Sequence, residues 1–154
     1  MTKIGQGILA ALLLAGGVAR AEEGAAGVDV RWIAAMKAND VAAVVACYGP
    51  DAVVWLPGAP EARGIEAIRG TYAGLLGENT VVDVGTSNEQ YATSGDLSCG
   101  WGNFTLTLKP KKGGDVQVLN GRYVVVAKKI GGKWLYVADH ASLEPPPTAP
   151  SAKP

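Results

Sequence analysis

Residues Gly131–Ser142 read GGKWLYVADHAS. The paired glycines make a tight turn, and the residues after them alternate as a strand, so Lys133–Ser142 is the second arm of a hairpin whose first arm is Val116–Lys129. Working backwards, the same period of two recurs over Asp96–Leu108, over Thr80–Val84 and, more weakly, over Glu89–Thr93. Long strands joined by short turns predict an antiparallel sheet. The closing strand ends on Asp139 and His140, the latter the single histidine of the chain, and these two are the candidate catalytic side chains. Neighbours on a strand point to opposite faces, so the two share a cavity only if a bulge intervenes. With Val124, Leu135 and Val137 on the inner face, parity places Asp139 inside and His140 outside. A buried carboxyl on a cavity wall has its pKa raised by desolvation and can serve as acid, base or hydrogen-bond anchor. The plainer alternatives are an Asp139 satisfied by Arg63 or Arg122, and a His140 that packs at a subunit surface or bonds Ser142.

The period changes to helical upstream of the strands. Trp32, Ala35 and Met36, flanked by Val30 and Ile33, predict a helix over Val28–Ala38. Asn39 and Asp40 cap a second helix, Val41–Tyr48, which Gly49-Pro50 stops. Ala52–Leu56 is a short strand, ended by Pro57-Gly58-Ala59-Pro60. A third helix, Ile65–Leu76, carries Ile65, Ile68, Tyr72, Leu75 and Leu76 on its apolar side, with Gly77 closing it. Three helices followed by long antiparallel strands define an α+β domain with helices over one face of a curved sheet.

The ends read differently from the middle. Lys3 precedes an apolar run, Ile8–Val18, and then Ala19-Arg20-Ala21, the pattern of a signal peptide cut after residue 21. Periplasmic or secreted location is expected, with no membrane attachment after cleavage. Residues 22–26 read as a short linker, 27–143 as the folded domain, and 144–154, which holds five of the nine prolines, as a tail that cannot bury enough surface to order itself. Losing Lys3 and Arg20 leaves 12 basic against 14 acidic residues. A charge of about −2 excludes the concentrated positive face that nucleic acid demands. Cys47 and Cys99 suit either a disulfide or two buried thiols. Neither a metal-ligand spacing nor a glycine-rich phosphate loop is present, so no metal and no cofactor are expected.

Several short stretches together, in this order, resemble the superfamily typified by nuclear transport factor 2, ketosteroid isomerase and the polyketide-cyclase-like proteins, nearest its branch of domains of unknown function. They are Ala38-Asn39-Asp40, Cys47-Tyr48-Gly49-Pro50-Asp51-Ala52, Pro57, Arg63 to Arg69, Gly121-Arg122-Tyr123-Val124 and Gly132-Lys133-Trp134 leading to Asp139-His140-Ala141-Ser142. The resemblance implies a cone in which a strongly curved, mainly antiparallel sheet wraps three N-terminal helices and encloses a cavity. It also implies a homodimer formed through the outer face of the sheet. The isomerase branch works with a carboxylate base, a tyrosine and a protonated aspartic acid. The matching positions here are Leu56, Trp32 and Val124, none of which can move a proton or hold an oxyanion as those groups do. The expected cavity lining is Trp32, Leu56, Tyr72, Trp101 and Val124. The expected function is an exported dimer that binds a small apolar molecule without catalysis; the alternative is a small lyase, isomerase or hydrolase using Asp139.

Overall fold

The computed structural model describes residues 23–145; the expected signal peptide and residues 146–154 of the expected tail lie outside them. Helices α1 (Gly24–Lys37) and α2 (Val41–Val45) precede strands β1 (Tyr48–Trp55) and β2 (Ala62–Arg63) and helix α3 (Ile65–Glu78). Four long strands follow: β3 (Asn79–Ser94), β4 (Leu97–Pro110), β5 (Gln117–Ile130) and β6 (Lys133–Leu143). They form one six-stranded sheet in the order β2-β1-β6-β5-β4-β3, antiparallel except for the parallel β1–β6 pair. Register breaks between Val81 and Asp83, between Ser87 and Gln90, and between Val126 and Ala127 bend the long hairpins, as bulges do. The sheet curls around the helices, and the shared interior holds Val28, Met36, Val44, Val54, Ile68, Tyr72 and Val84, all essentially inaccessible to solvent. Each such side chain contributes roughly 1.5–3 kcal/mol by leaving water.

Side-chain bonds hold the helical corner to the sheet. Asn39, in the left-handed region at φ 55°, donates its amide to the Val81 carbonyl at 3.1 Å and accepts the Val81 N–H at 2.7 Å. Asp40 accepts the Ala43 N–H at 3.0 Å and so caps α2.

Four local expectations change. Helix α1 begins at Gly24, inside the stretch read as a linker, because Ala25 is fully buried and its N–H donates to Ser98 Oγ at 2.9 Å. Helix α2 stops at Val45 and Tyr48 opens β1, because its neighbour's carbonyl, on Cys47, accepts the Tyr136 N–H of β6. Helix α3 passes through Gly77, and Asn79 closes it by donating its amide to the Leu75 carbonyl. The two runs Thr80–Val84 and Glu89–Thr93 are one strand, kinked where Asn88 takes φ 54°. Of the two readings for the cysteines, free thiols is the outcome: Cys47 is buried, Cys99 half-buried, and burial pushes the Cys47 thiol up to about 11.

Candidate functional site

Strand β6 carries one extra residue relative to β5. Ala127 pairs with Tyr136 and Val126 with Ala138, so Val137 is the bulged residue between them. Before the bulge Trp134 and Tyr136 face inward; after it Asp139 does, paired with inward-facing Val125. Asp139 is therefore inside and His140 outside, through a route the simple alternation misses, since the buried positions early in the strand are Trp134 and Tyr136 rather than Leu135 and Val137. Without the bulge the same inward-facing Tyr136 would send Asp139 to the outer face.

Asp139 ends a directed chain of hydrogen bonds. Tyr48 Oη donates to Asp139 Oδ2 at 2.6 Å, and Tyr48 and Tyr72 hydroxyls are 2.6 Å apart. Trp32 Nε1 donates to the Tyr72 hydroxyl oxygen at 3.2 Å. An indole N–H can only donate and a carboxylate can only accept. The direction follows: Trp32 to Tyr72, Tyr72 to Tyr48, Tyr48 to Asp139. Neither arginine considered in the sequence reading reaches Asp139; a phenol takes that place. The other carboxyl oxygen, Oδ1, has no hydrogen-bond partner among the described residues, and Asp139 stands on the wall of a cavity.

A second buried carboxyl, Asp29 of α1, stands on the same cavity. It accepts from Tyr91 at 2.8 Å and from Tyr123 at 3.2 Å on Oδ2, and from Tyr136 on Oδ1. All five tyrosines of the chain thus serve two aspartates, three on Asp29 directly and two in series on Asp139. Two glycines of β4 make this possible. A Cβ on Gly100 would meet the Tyr91 ring at 2.9 Å and so press on its phenol, and one on Gly102 would meet the Ser87 carbonyl oxygen at 2.9 Å and crowd the Tyr123 ring at 3.2 Å.

Burial raises both carboxyl pKa values. At Asp139 desolvation outweighs the Tyr48 hydrogen bond, the nearby charge of Asp29 adds to the rise, and the pKa stands at about 6. At Asp29 desolvation again dominates over the bonds from Tyr136, Tyr91 and Tyr123, and the pKa is raised. The phenols move the same way: desolvation drives the Tyr48, Tyr72, Tyr123 and Tyr136 hydroxyls far above the ordinary tyrosine range, and Tyr91 is pushed up to about 12. At neutral pH the phenols stay protonated donors while Asp139 sits near its ionisation threshold.

The cavity has a volume of about 180 Å³ and a mainly apolar wall from α1, α3, the inner faces of β3 to β6 and the Leu56-Pro57 turn, with Thr86 as a further polar residue. Trp32, Leu56 and Tyr72 line it. Trp101 and Val124 do not, which corrects the expected lining. They are 37% and 47% exposed and lie on the outer face, in a cross-strand row Trp101–Val124–His140–Trp55. The reason is parity: Tyr123 and Val125 are the inward residues of β5, and everything in register with Val124 points the other way. His140 belongs to that row, with its ring edge-on to Trp55 at 6.3 Å, and does not join Asp139. Sequence reading missed Asp29, Tyr48, Tyr123 and Tyr136. A signal for Asp29 was present, since it shares one helical face with Ala25, Trp32 and Met36 and is the only charged residue among them.

A curled sheet over N-terminal helices, with an apolar cavity between them, is the fold of the nuclear transport factor 2-like class of α+β proteins. Residues 30–137 match the SnoaL-like domain, and the chain belongs to that family. A ketosteroid isomerase-like protein from Erwinia carotovora atroseptica superposes with a TM-score of 0.71 at 22% identity, over 78% of this chain and 93% of that one. A Xanthomonas campestris protein provisionally named as a calcium/calmodulin dependent protein kinase II association domain gives 0.71 at 26% identity, over 88% and 94%. A nuclear transport factor 2-like superfamily protein from Salmonella enterica serovar Typhimurium gives 0.68 at 18%, over 82% and 92%. No curated protein matches the chain significantly in sequence.

Proposed function

We propose that the chain binds a small, mainly apolar molecule in this cavity and anchors its polar end on Asp139. The observation that carries the reading is a buried carboxyl, with one oxygen free of any hydrogen-bond partner among the described residues, on the wall of a mainly apolar space of about 180 Å³. A cavity near 150 Å³ is enough for benzene, so one ring with a short arm is the right size. Apolar enclosure with a few fixed polar anchors is the usual design of such sites. Thermal-shift titration of the protein without residues 1–21 against a panel of single-ring compounds checks this. A binder present at 100 times its Kd stabilises by about 2.7 kcal/mol, and Asp139→Asn is expected to weaken binding of the polar-ended members about tenfold. A panel without any stabilising member sinks the reading.

A second reading is favoured by the pKa of Asp139, about 6. A carboxyl titrating near neutrality is suited to taking and returning a proton, the task of a small isomerase or lyase. Under this reading a carbonyl compound that binds would exchange its α-hydrogens for deuterium in heavy water with wild type and not with Asp139→Asn. Binding without exchange leaves the chain a binding protein.

Export and dimerisation belong to the same proposal. The outer row Trp101–Val124–His140–Trp55 is a stripe of aromatic and aliphatic side chains suited to a second copy of the chain. Sedimentation should give a dimer that Val124→Glu shifts towards monomer, and intact-mass measurement of the secreted fraction should begin at residue 22; a monomeric wild type or an intact Met1 would count against each.

A further inference from the structure

The hydrogen atoms of the cavity are already spoken for. Every phenol that reaches it donates to a carboxyl or to the next phenol, and the Trp32 N–H donates to Tyr72. With both carboxyls ionised the wall therefore offers a polar ligand acceptors, not donors. No lysine, arginine or histidine lines the cavity among the described residues, so two carboxyls face an apolar space with no cation to balance them. His140, the nearest basic side chain along β6, is on the other side of the sheet. Asp139 lines the cavity at only 6% exposure, and its Oδ1 has no hydrogen-bond partner among the described residues. The rings of Trp32, Tyr72, Phe104, Tyr123 and Tyr136 supply much of the remaining wall.

Resting on the binding reading above, we infer that the ligand is a small hydrophobic amine, bound as its ammonium ion. Three features of that ligand match three features of the site. Its N–H groups donate to Asp139 Oδ1 and to the acceptor oxygens around Asp29. Its charge replaces the missing counter-ion, which a buried carboxylate requires to stay ionised at low cost. Its apolar body and its cationic head both suit aromatic faces. A carboxylate ligand would set its negative charge against that of the carboxyls in the same small space and is disfavoured, and a neutral alcohol satisfies Oδ1 while leaving the charge unbalanced.

The experiment is isothermal titration of the protein without residues 1–21 with benzylamine, benzyl alcohol and benzoate, three probes that share a ring and differ in the head group. Benzylamine is expected to bind roughly tenfold or more tightly than benzyl alcohol, with no binding of benzoate. Asp139→Asn should bring benzylamine down to the level of benzyl alcohol without lowering the latter. Benzylamine binding should also weaken several-fold between about pH 7.5 and about pH 5, as Asp139 takes up a proton. The groups that face Asp139 and set this dependence are Asp29 from α1, Tyr48 from β1, Tyr72 from α3 and Tyr136 from β6, with His140 acting through the strand from the opposite face. Benzyl alcohol binding as tightly as benzylamine would overturn the amine assignment and leave the binding reading intact. Failure of all three probes would overturn both. The wild-type series decides the matter even if the Asn variant does not fold.

Discussion

Stability is expected to rise, rather than fall, as the pH is lowered from about 7 to about 4. The Asp139 pKa is raised from 3.8 to about 6 in the folded protein, first by desolvation. Between those values the native state binds a proton that the unfolded chain does not. Stability contributed in this way is fully present below the unfolded pKa and is lost as the pH climbs through the folded one. The difference of about two pKa units corresponds to about 3 kcal/mol, a large part of the 5–15 kcal/mol typical of a domain. Asp29, also raised by desolvation, acts in the same direction. Asp83 and Glu89 are shifted downward by Lys37 and Thr86 respectively, but both are exposed and screened by solvent. Urea unfolding at a series of pH values measures the effect. Asp139→Asn, which cannot ionise, should flatten most of the slope and should be more stable than wild type above pH 7. A wild type that loses stability steadily from pH 7 to 4, or an Asn variant with an unchanged slope, would contradict this account of the buried carboxyl.

The second large effect is at Asp29. Replacing it with Ala leaves the Tyr123 and Tyr136 hydroxyls, on residues 8% and 2% exposed, without their acceptor; Tyr91, at 41%, can turn to water. An orphaned buried donor costs about 1–3 kcal/mol, and removing a shared buried partner reaches 3–5 kcal/mol. Asp29→Ala is therefore expected to lose about 3–5 kcal/mol in urea unfolding, whereas Asp29→Asn, which keeps one acceptor oxygen, should lose less than half of that. Tyr136→Phe combined with Asp29→Ala should cost clearly less than the sum of the two, because the second change removes a donor that the first had stranded. Because the Asp29 charge raises the Asp139 pKa, Asp29→Asn should also move the acid stabilisation described above to lower pH. A loss below about 1 kcal/mol for Asp29→Ala would mean that water, not the carboxyl, satisfies these phenols.

A fold match at 18–26% identity says little about chemistry, since one architecture hosts many unrelated activities. The site carries more. Of the three residues that the resemblance sets against the isomerase groups, Leu56 and Trp32 line the cavity, and Val124 faces away from it. What occupies the wall is a different set, two aspartates held by five phenols. That set accounts for the site's lack of free donors, while burial raises the pKa values of the two carboxyls against the pull of the phenol hydrogen bonds.

The order of helices and strands, the α+β class and the presence of Asp139 at the end of the closing strand were all legible in the sequence, because each is written in local signals: a period of 3.6 or 2, a capping Asn-Asp, a Gly-Gly turn. Which way Asp139 points was not. It depends on the bulge at Val137, a mismatch between β5 and β6 that exists only when the two strands are paired. The outward placing of Trp101 and Val124 has the same origin, since a strand's inner face is chosen by what its partners bury and not by its own alternation. The site itself unites Asp29 with tyrosines 62, 94 and 107 residues further on, and Tyr48 with an aspartate 91 residues away. Contacts over such separations leave no periodic trace along the chain; curling the sheet over α1 is what creates them, by closing an apolar space in which two buried carboxyls must find every phenol within reach.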